Sequence, residues 1–374
     1  MLYLNWIRPL FSRSFLALLS VALFAGVASA ERKADRAPGA VYVGSNQPAP
    51  TGNSVLMYDR AADGTLTFAG SFPTGGTGAG TGGDPLASQG AVALALGSRF
   101  LFAVNAGSND VSMFAVREGG LVLLDKEPSH GQMPVSIAVK GFLVYVLNAG
   151  GTPNISGFVI DPIRGQLVPL PGSQRPLAGG LSAQPAEVSF NAEGDVLLVS
   201  EKGTQLIDTY RVNFLGYASG PTPHASSGVT PFGFSVTNRG YAIVSEAASG
   251  AVSSYEIGED GAFDLVSGSV ALGQKAPCWL VTTNDGRYAF TANAGSGTIS
   301  SLGIAPNGAA SLLNPAAGTL AAPLDLAMTS NSKFLYVREG TGAVSGFKVE
   351  RDGSLTPLGS WAGLPAGAQG IAAR

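Results

Sequence analysis

Seven times along the 374-residue chain, a short apolar strand is followed by a turn and a second strand resembling Phe-Leu-Tyr-Val. The first strands open around Gln89, Met133-Pro134, Gln184-Pro185, Thr230-Pro231, Ala276-Pro277, Ala322-Pro323 and Ala368. Pro185, Pro231, Pro277 and Pro323 stand 46 residues apart, and Pro134 stands 51 before Pro185. Second strands are predicted at Phe100–Asn105, Leu143–Asn148, Leu197–Glu201, Ala242–Glu246, Ala289–Asn293 and Phe334–Glu339. The stretch from Ala368 to Arg374 has no partner after it, and the partner-like Ala40–Gly44 has no first strand before it. Repeats of about 40 to 50 residues with four strands each are the mark of a propeller. The pattern predicts an all-β, seven-bladed β-propeller of four-stranded blades, its ring closed by a blade split between the N- and C-termini.

The turns give the same count. Between third and fourth strands fall Asp63-Gly64, Gly119-Gly120, Arg164-Gly165, Leu215-Gly216, Asp260-Gly261, Asn307-Gly308 and Asp352-Gly353, each with the glycine that a tight hairpin uses for positive φ. With 52 glycines, only 13% charged residues and no stretch of helical amphipathicity, the chain reads as strand and turn throughout. Strands such as Leu101–Val104 are continuous apolar runs, as expected of blades covered on both faces by their neighbours.

Residues 1–30 read as a cleaved signal peptide. Arg8 and Arg13 supply a positive start, Phe15–Val27 a short apolar core, and Ala28-Ser29-Ala30 a small-residue cleavage site. The apolar core is short for a membrane span. The expected organisation is thus a signal peptide at 1–30, a lead-in at 31–39 and one propeller domain at 40–374. The expected location is extracytoplasmic, periplasmic or secreted, with no membrane span after cleavage. Removing Arg8 and Arg13 leaves 20 basic against 25 acidic side chains, which argues against a nucleic-acid partner. Cys278 is the only cysteine, so stability must come from packing and ring closure rather than from an intramolecular disulfide.

Strand direction locates the candidate site. Inner strands start at the face to which the second strands return, so these ends should meet at one mouth of the central channel. The inner-strand starts bring Glu187, Phe232, Lys275, Trp279 and Asp325 there; the second-strand ends bring Glu201, Glu246 and Glu339, with Arg338 beside the last. The opposite face should carry mainly short hairpin turns. Asn105, Asn148 and Asn293 also end second strands, where asparagine commonly caps a turn. No His or Cys pair has metal-ligand spacing, so no metal site and no cofactor are expected, although oxygen ligands at the mouth leave Ca²⁺ open. The glycine-rich run Thr74–Gly83 lacks the lysine and helix of a phosphate loop and reads as a flexible surface loop.

The repeat Asn284-Asp285-Gly286-Arg287-Tyr288-Ala289-Phe290-Thr291-Ala292-Asn293, the strand Phe334–Val337, the opening Tyr42-Val43-Gly44 and the turn Asp352–Leu355 resemble the seven-bladed lactonase family from Ala40 to Arg374. That family includes propeller-type 6-phosphogluconolactonases and carboxymuconate cyclases. The resemblance implies a Gly-Pro-Arg-His motif opening one inner strand and a glutamate on the next strand. Here the strand opens Thr230-Pro231-Phe232-Gly233, without the arginine and histidine, while the glutamate is kept as Glu246. The family's upstream His-x-His is replaced by Gln184-Pro185-Ala186.

Two functions follow. One is a monomeric, non-catalytic propeller that binds a small molecule, glycan or protein at the mouth, using Trp279 and Phe232 as an apolar platform with Lys275, Arg338, Glu201 and Glu339 around it. The other is a lactone hydrolase or cyclase with Glu246 as base, Glu187 or Asp325 assisting, and Lys275 or Arg338 stabilising an oxyanion.

Overall fold

The computed structural model describes residues 38–80 and 82–374; residues 1–30, read from the sequence as a signal peptide, and most of the lead-in lie outside the described residues. Seven antiparallel sheets form a ring of blades. The inner strands, in chain order, are Val92–Ala95, Gln132–Lys140, Pro185–Phe190, Pro231–Val236, Pro277–Thr282, Pro323–Met328 and Gln369–Ala373. Each neighbours the next around the channel, and the last returns to the first. We number the blades one to seven in this order.

The seventh blade is the split one. Its strands run Gln369–Ala373, Gly39–Gly44, Ser54–Arg60, Leu66–Pro73, so the C-terminal strand is innermost and the N-terminal strand lies beside it. Val43 pairs with Ile371, Tyr42 with Ala372, and Arg374 N–H donates to the Ala40 carbonyl at 2.9 Å. Closure in this register leaves neither terminal strand with a free edge on its partner's side.

Packing follows from the apolar runs. Second strands such as Phe100–Asn105 and Phe334–Glu339 are buried at every position, one side chain set facing each neighbouring blade. Phe334 and Tyr336 pack with Val41 and Val43 of the seventh blade, while Leu335 and Val337 pack toward Trp279 and Phe290 of the fifth. Outer strands face solvent; Leu66–Pro73 is exposed at most of its positions.

The inner strands share a local device. Met133, Gln184, Thr230 and Ala276 have positive φ, each precedes a proline, and the ladder slips just after Pro134, Pro185, Pro231, Pro277 and Pro323. Such bulges re-aim side chains. Here they lie where Glu187, Phe232, Trp279 and Asp325 leave the strands.

Blade one departs from the expectation. Its inner strand begins at Val92, and Gln89 belongs to the connection before it. That connection, from Thr74 to Ala91, is the longest between blades. Its first part is not a loose surface loop. Thr74 is fully buried, its hydroxyl donates to Asn105 Oδ1 at 2.7 Å, and Gly78 N–H donates to the Gln47 carbonyl at 2.7 Å. A Cβ on Gly78 would lie 2.0 Å from the Asn46 backbone, so only glycine fits that approach.

Candidate ligand-binding site

Inner strands of a propeller have one edge without a strand partner, and it faces the channel. In the half nearest the strand starts, residues Leu86–Gln89 fill that space as a plug. Gln89 N–H donates to the Ala186 carbonyl at 3.1 Å. Its side-chain amide copies a peptide group: Oε1 accepts from Leu280 N–H at 2.9 Å and Nε2 donates to the Leu280 carbonyl at 2.8 Å. Ser88 donates to the Val135 carbonyl at 2.9 Å and its own carbonyl accepts from Trp279 Nε1 at 2.8 Å. The Lys202 ammonium donates to the Ala87 carbonyl and sits 4.8 Å from the centre of the Phe232 ring. Blades two, three and five are thus tied together across the axis.

This closes the mouth on which the sequence places the site. Trp279 and Phe232 are not an open platform: they are 1% and 5% exposed and pack edge to face at 5.1 Å beside the plug. Lys275 is exposed, with no side-chain bond to any of these groups.

The glutamates that end second strands are structural caps. Glu246 is fully buried. Its Oε1 accepts from Gly228 N–H at 2.7 Å and Ser253 Oγ at 2.5 Å, and its Oε2 from Ser269 Oγ at 2.7 Å. A Cβ at Gly228 would stand 2.0 Å from Oε2, so the loop before blade four is moulded around this carboxylate. Glu201 accepts from Gly179 N–H at 3.0 Å and from the Thr204 hydroxyl, and Glu339 from Ala321 N–H at 3.1 Å and Ser345 Oγ at 2.5 Å. Asn105 and Asn293 fill the same place in their blades, donating to Ser112 Oγ and Ser300 Oγ, each at 2.8 Å. The position is a repeated lock between the second strand, the third strand and the loop from the previous blade. None of Glu201, Glu246 and Glu339 lines the cavity described next.

Below the plug, the channel widens into a cavity of about 610 Å³ that opens among the hairpin turns, on the face expected to carry little else. Gln89, Glu187 and Asp325 form its floor, and Ser189, Ser235 and Thr282 its walls. Ser235 and Thr282 are joined across blades four and five by a 2.8 Å hydroxyl contact. Glu187 Oε2 accepts from Phe234 N–H at 2.7 Å, while Asp325 Oδ1 accepts from Leu326 N–H at 2.9 Å.

Burial holds both floor carboxyls above their ordinary values: Glu187 well above, with the neighbouring Asp325 charge adding to the effect, and Asp325 up to about 7 against the pull of Arg338. One carboxyl pushed up to about 7 and another held well above its ordinary value, framed by hydroxyls, can both donate to and accept from a ligand's hydroxyl or carbonyl groups. Among the described residues, Lys140 is the only cation lining the cavity, and its ammonium donates to the Ala192 carbonyl. Among the described residues, no three His, Cys, Asp or Glu side chains converge as metal ligands.

Of the residues singled out in the sequence, Glu187 and Asp325 thus come together at the cavity floor. Arg338 is buried at the seam between blades six and seven, and the three glutamates are dispersed around the ring as caps. Sequence reasoning missed Gln89 as a plug and the hydroxyl-walled cavity at the opposite end of the channel; the extra length before blade one is the signal that points to the plug.

A blind channel closed by its own chain, within a seven-bladed propeller, defines the structural class. The sequence profile described as "Lactonase, 7-bladed beta-propeller" matches residues 51–179 and 221–319, more than half of the chain. The chain belongs to that family. No curated protein matches it. Among solved structures, it is similar to a protein from Lactobacillus plantarum, at 17% identity over 90% of this chain and 99% of that one with a TM-score of 0.70. It is also similar to a periplasmic gluconolactonase of Pseudomonas aeruginosa, at 16% identity over 88% and 98% with a TM-score of 0.67. A functionally unknown protein from Desulfotomaculum acetoxidans is similar at 11% identity over 88% and 98%, with a TM-score of 0.65. Likeness at these identities speaks for the fold alone.

Proposed function

We propose that this protein is an exported lactonase-family propeller that binds a small, neutral, hydroxyl-bearing molecule in the channel cavity, without lactone chemistry at Glu246. The observation that carries the reading is the cavity itself, with protonatable Glu187 and Asp325 below a hydroxyl wall. A phosphorylated ligand is disfavoured, because Lys140 is the one lining cation among the described residues and it is already engaged. Glu246 is a poor base for any ligand there, since its oxygens accept three hydrogen bonds from its own blade and the adjoining loop. Export rests on residues 1–30 and predicts a mature chain beginning at Glu31, to be read by mass spectrometry of protein recovered outside the cytoplasm.

A second reading has one observation in its favour. A carboxyl pushed up to about 7 by burial, as Asp325 is, suits general acid–base chemistry at neutral pH, so the same cavity could open a neutral sugar lactone. Calorimetry with a panel of monosaccharides and aldonolactones, run beside a lactone-hydrolysis assay, separates the two. Binding without turnover supports the first reading. Turnover that falls roughly 10²-fold or more in Asp325→Asn replaces it with the second. Neither binding nor turnover with any member of the panel contradicts both.

A further inference from the structure

On the face where the cavity opens, the turns of blades two and three differ from those of the other five. Between third and fourth strands, the residue two places before the glycine is Glu259, Pro306, Arg351 and Ala62 in blades four, five, six and seven. In blades two and three it is Ile163 and Phe214, and Leu215 follows Phe214. Between first and second strands, the residue after the turn glycine or serine is Arg99, Asp195, Tyr241, Arg287 and Lys333 in five blades, but Phe142 in blade two. Ile163 is 95% exposed, Phe214 96%, Leu215 60% and Phe142 51%. Tight turns require the glycines, and nothing in the fold requires apolar tips beside them.

The four tips share one sector and are held in place. Ile160 N–H donates to the Phe142 carbonyl at 2.8 Å, which sets the two turns of blade two side by side. A Cβ on Gly216 would lie 2.9 Å from Leu143 Cδ1, so the blade-three turn rests against the residue after Phe142. Asp161 Oδ1 accepts from Ile163 N–H at 3.0 Å and Arg164 N–H at 2.9 Å, while Asn213 Oδ1 accepts from Leu215 N–H and Tyr217 N–H, both at 3.0 Å. Side chains that bond their own turn in this way fix its shape.

A lone exposed apolar residue is ordinary, but a group of them in one sector marks a contact surface. A standard protein interface takes roughly 20–30 residues a side, and four projecting tips fall far short of that. A bilayer asks for less, since apolar side chains need enter only about 5–10 Å into the headgroup and acyl boundary. The cations of these turns are already engaged: Arg164 pairs with Asp161 at 2.9 Å, and the Lys140 ammonium donates to the Ala192 carbonyl. Glu193 and Asp195 belong to the neighbouring turn of blade three, so the sector has no excess positive charge to seek anionic lipid. We propose that Phe142, Ile163, Phe214 and Leu215 dock this face on a lipid bilayer by apolar insertion, without a requirement for anionic lipid. Docking is peripheral, because no helix among the described residues is long and apolar enough to cross a membrane. Phe142 stands two residues from Lys140, which lines the cavity, so docking turns the cavity mouth toward the lipid surface. The proposal rests on the turn tips and not on what the cavity binds.

Every strand of the ring lies between Gly39 and Ala373, so the test uses the chain from Glu31 onward, which removes the apolar stretch Phe15–Val27 as a source of binding. Flotation is measured with phosphatidylcholine vesicles, with and without phosphatidylglycerol, at low and high salt. The expected result is binding to both vesicle types, equal within about threefold and undiminished by salt. Replacing both tips, Ile163→Ser with Phe214→Ser, should lower partitioning roughly tenfold or more. Both side chains are exposed, so the melting temperature of that variant should match the wild type. Phe214→Trp should still bind, with an emission that shifts to the blue on vesicles and is quenched by brominated lipid. No flotation with either vesicle, flotation that the double serine variant keeps, or binding confined to anionic vesicles at low salt overturns the proposal. A dimer that the double serine variant dissociates also overturns it, and assigns the tips to a second copy of the chain. Ser235→Trp, which fills the cavity, should leave flotation intact, so failure of docking is distinct from failure of the cavity reading.

Discussion

At the scale of single residues, the same side chain type serves opposite ends. Glu246 is a carboxylate enclosed by donors, whereas Glu187 and Asp325 are carboxyls short of them, and only the latter pair faces space. Replacing Glu246 by Gln puts an amide N–H₂ against donors. We expect a loss of about 1–3 kcal/mol in urea unfolding, with ligand binding in the cavity unchanged. Asp325 makes a prediction of different sign. Its folded value near 7 lies above the ordinary 3.8, so the native state keeps a proton that the unfolded chain releases. Its contribution is fully present below about pH 4 and is lost as pH rises through 7. Burial acts in the same direction on Glu187 and Asp84. Melting temperature measured from pH 4 to 8 should therefore fall less steeply in Asp325→Asn than in the wild type.

At the scale of elements, the plug is the feature that decides which end of the channel stays open. Strands and hairpins were legible because each repeats: a proline opening, an apolar run, a glycine turn. Ala368–Arg374 and Ala40–Gly44 could be joined for the same reason, each being half of a unit seen whole six times. The plug occurs once and has no periodicity, so a glycine-rich stretch followed by Asp84–Gln89 reads as a loop and a strand start. Nor could the sequence separate Glu246 from Glu187. Both are glutamates near strand ends, and what distinguishes them is the loop N–H at Gly228 and the hydroxyls of Ser253 and Ser269, which meet only in the folded blade. The plug's importance is measurable. Gln89→Ala strands the Leu280 N–H and carbonyl inside the channel. It should cost about 2–4 kcal/mol if both groups stay dry and speed hydrogen exchange at Leu280. Unchanged stability and exchange would mean the plug is not held as described.

At the scale of the whole molecule, the ring binds its ends together and leaves a blind cavity of about 610 Å³ open at the hairpin-turn face. The family fold is thus retained, while the mouth expected to hold the ligand is occupied by the chain itself. The most direct test of that account compares two variants by calorimetry, using whichever sugar or aldonolactone binds the wild type. Ser235→Trp fills the cavity from its wall, and Glu246→Gln alters only a buried cap. The account predicts that binding is lost in Ser235→Trp and kept within about twofold in Glu246→Gln. Binding that survives Ser235→Trp but disappears in Glu246→Gln, with both variants folded, would contradict it.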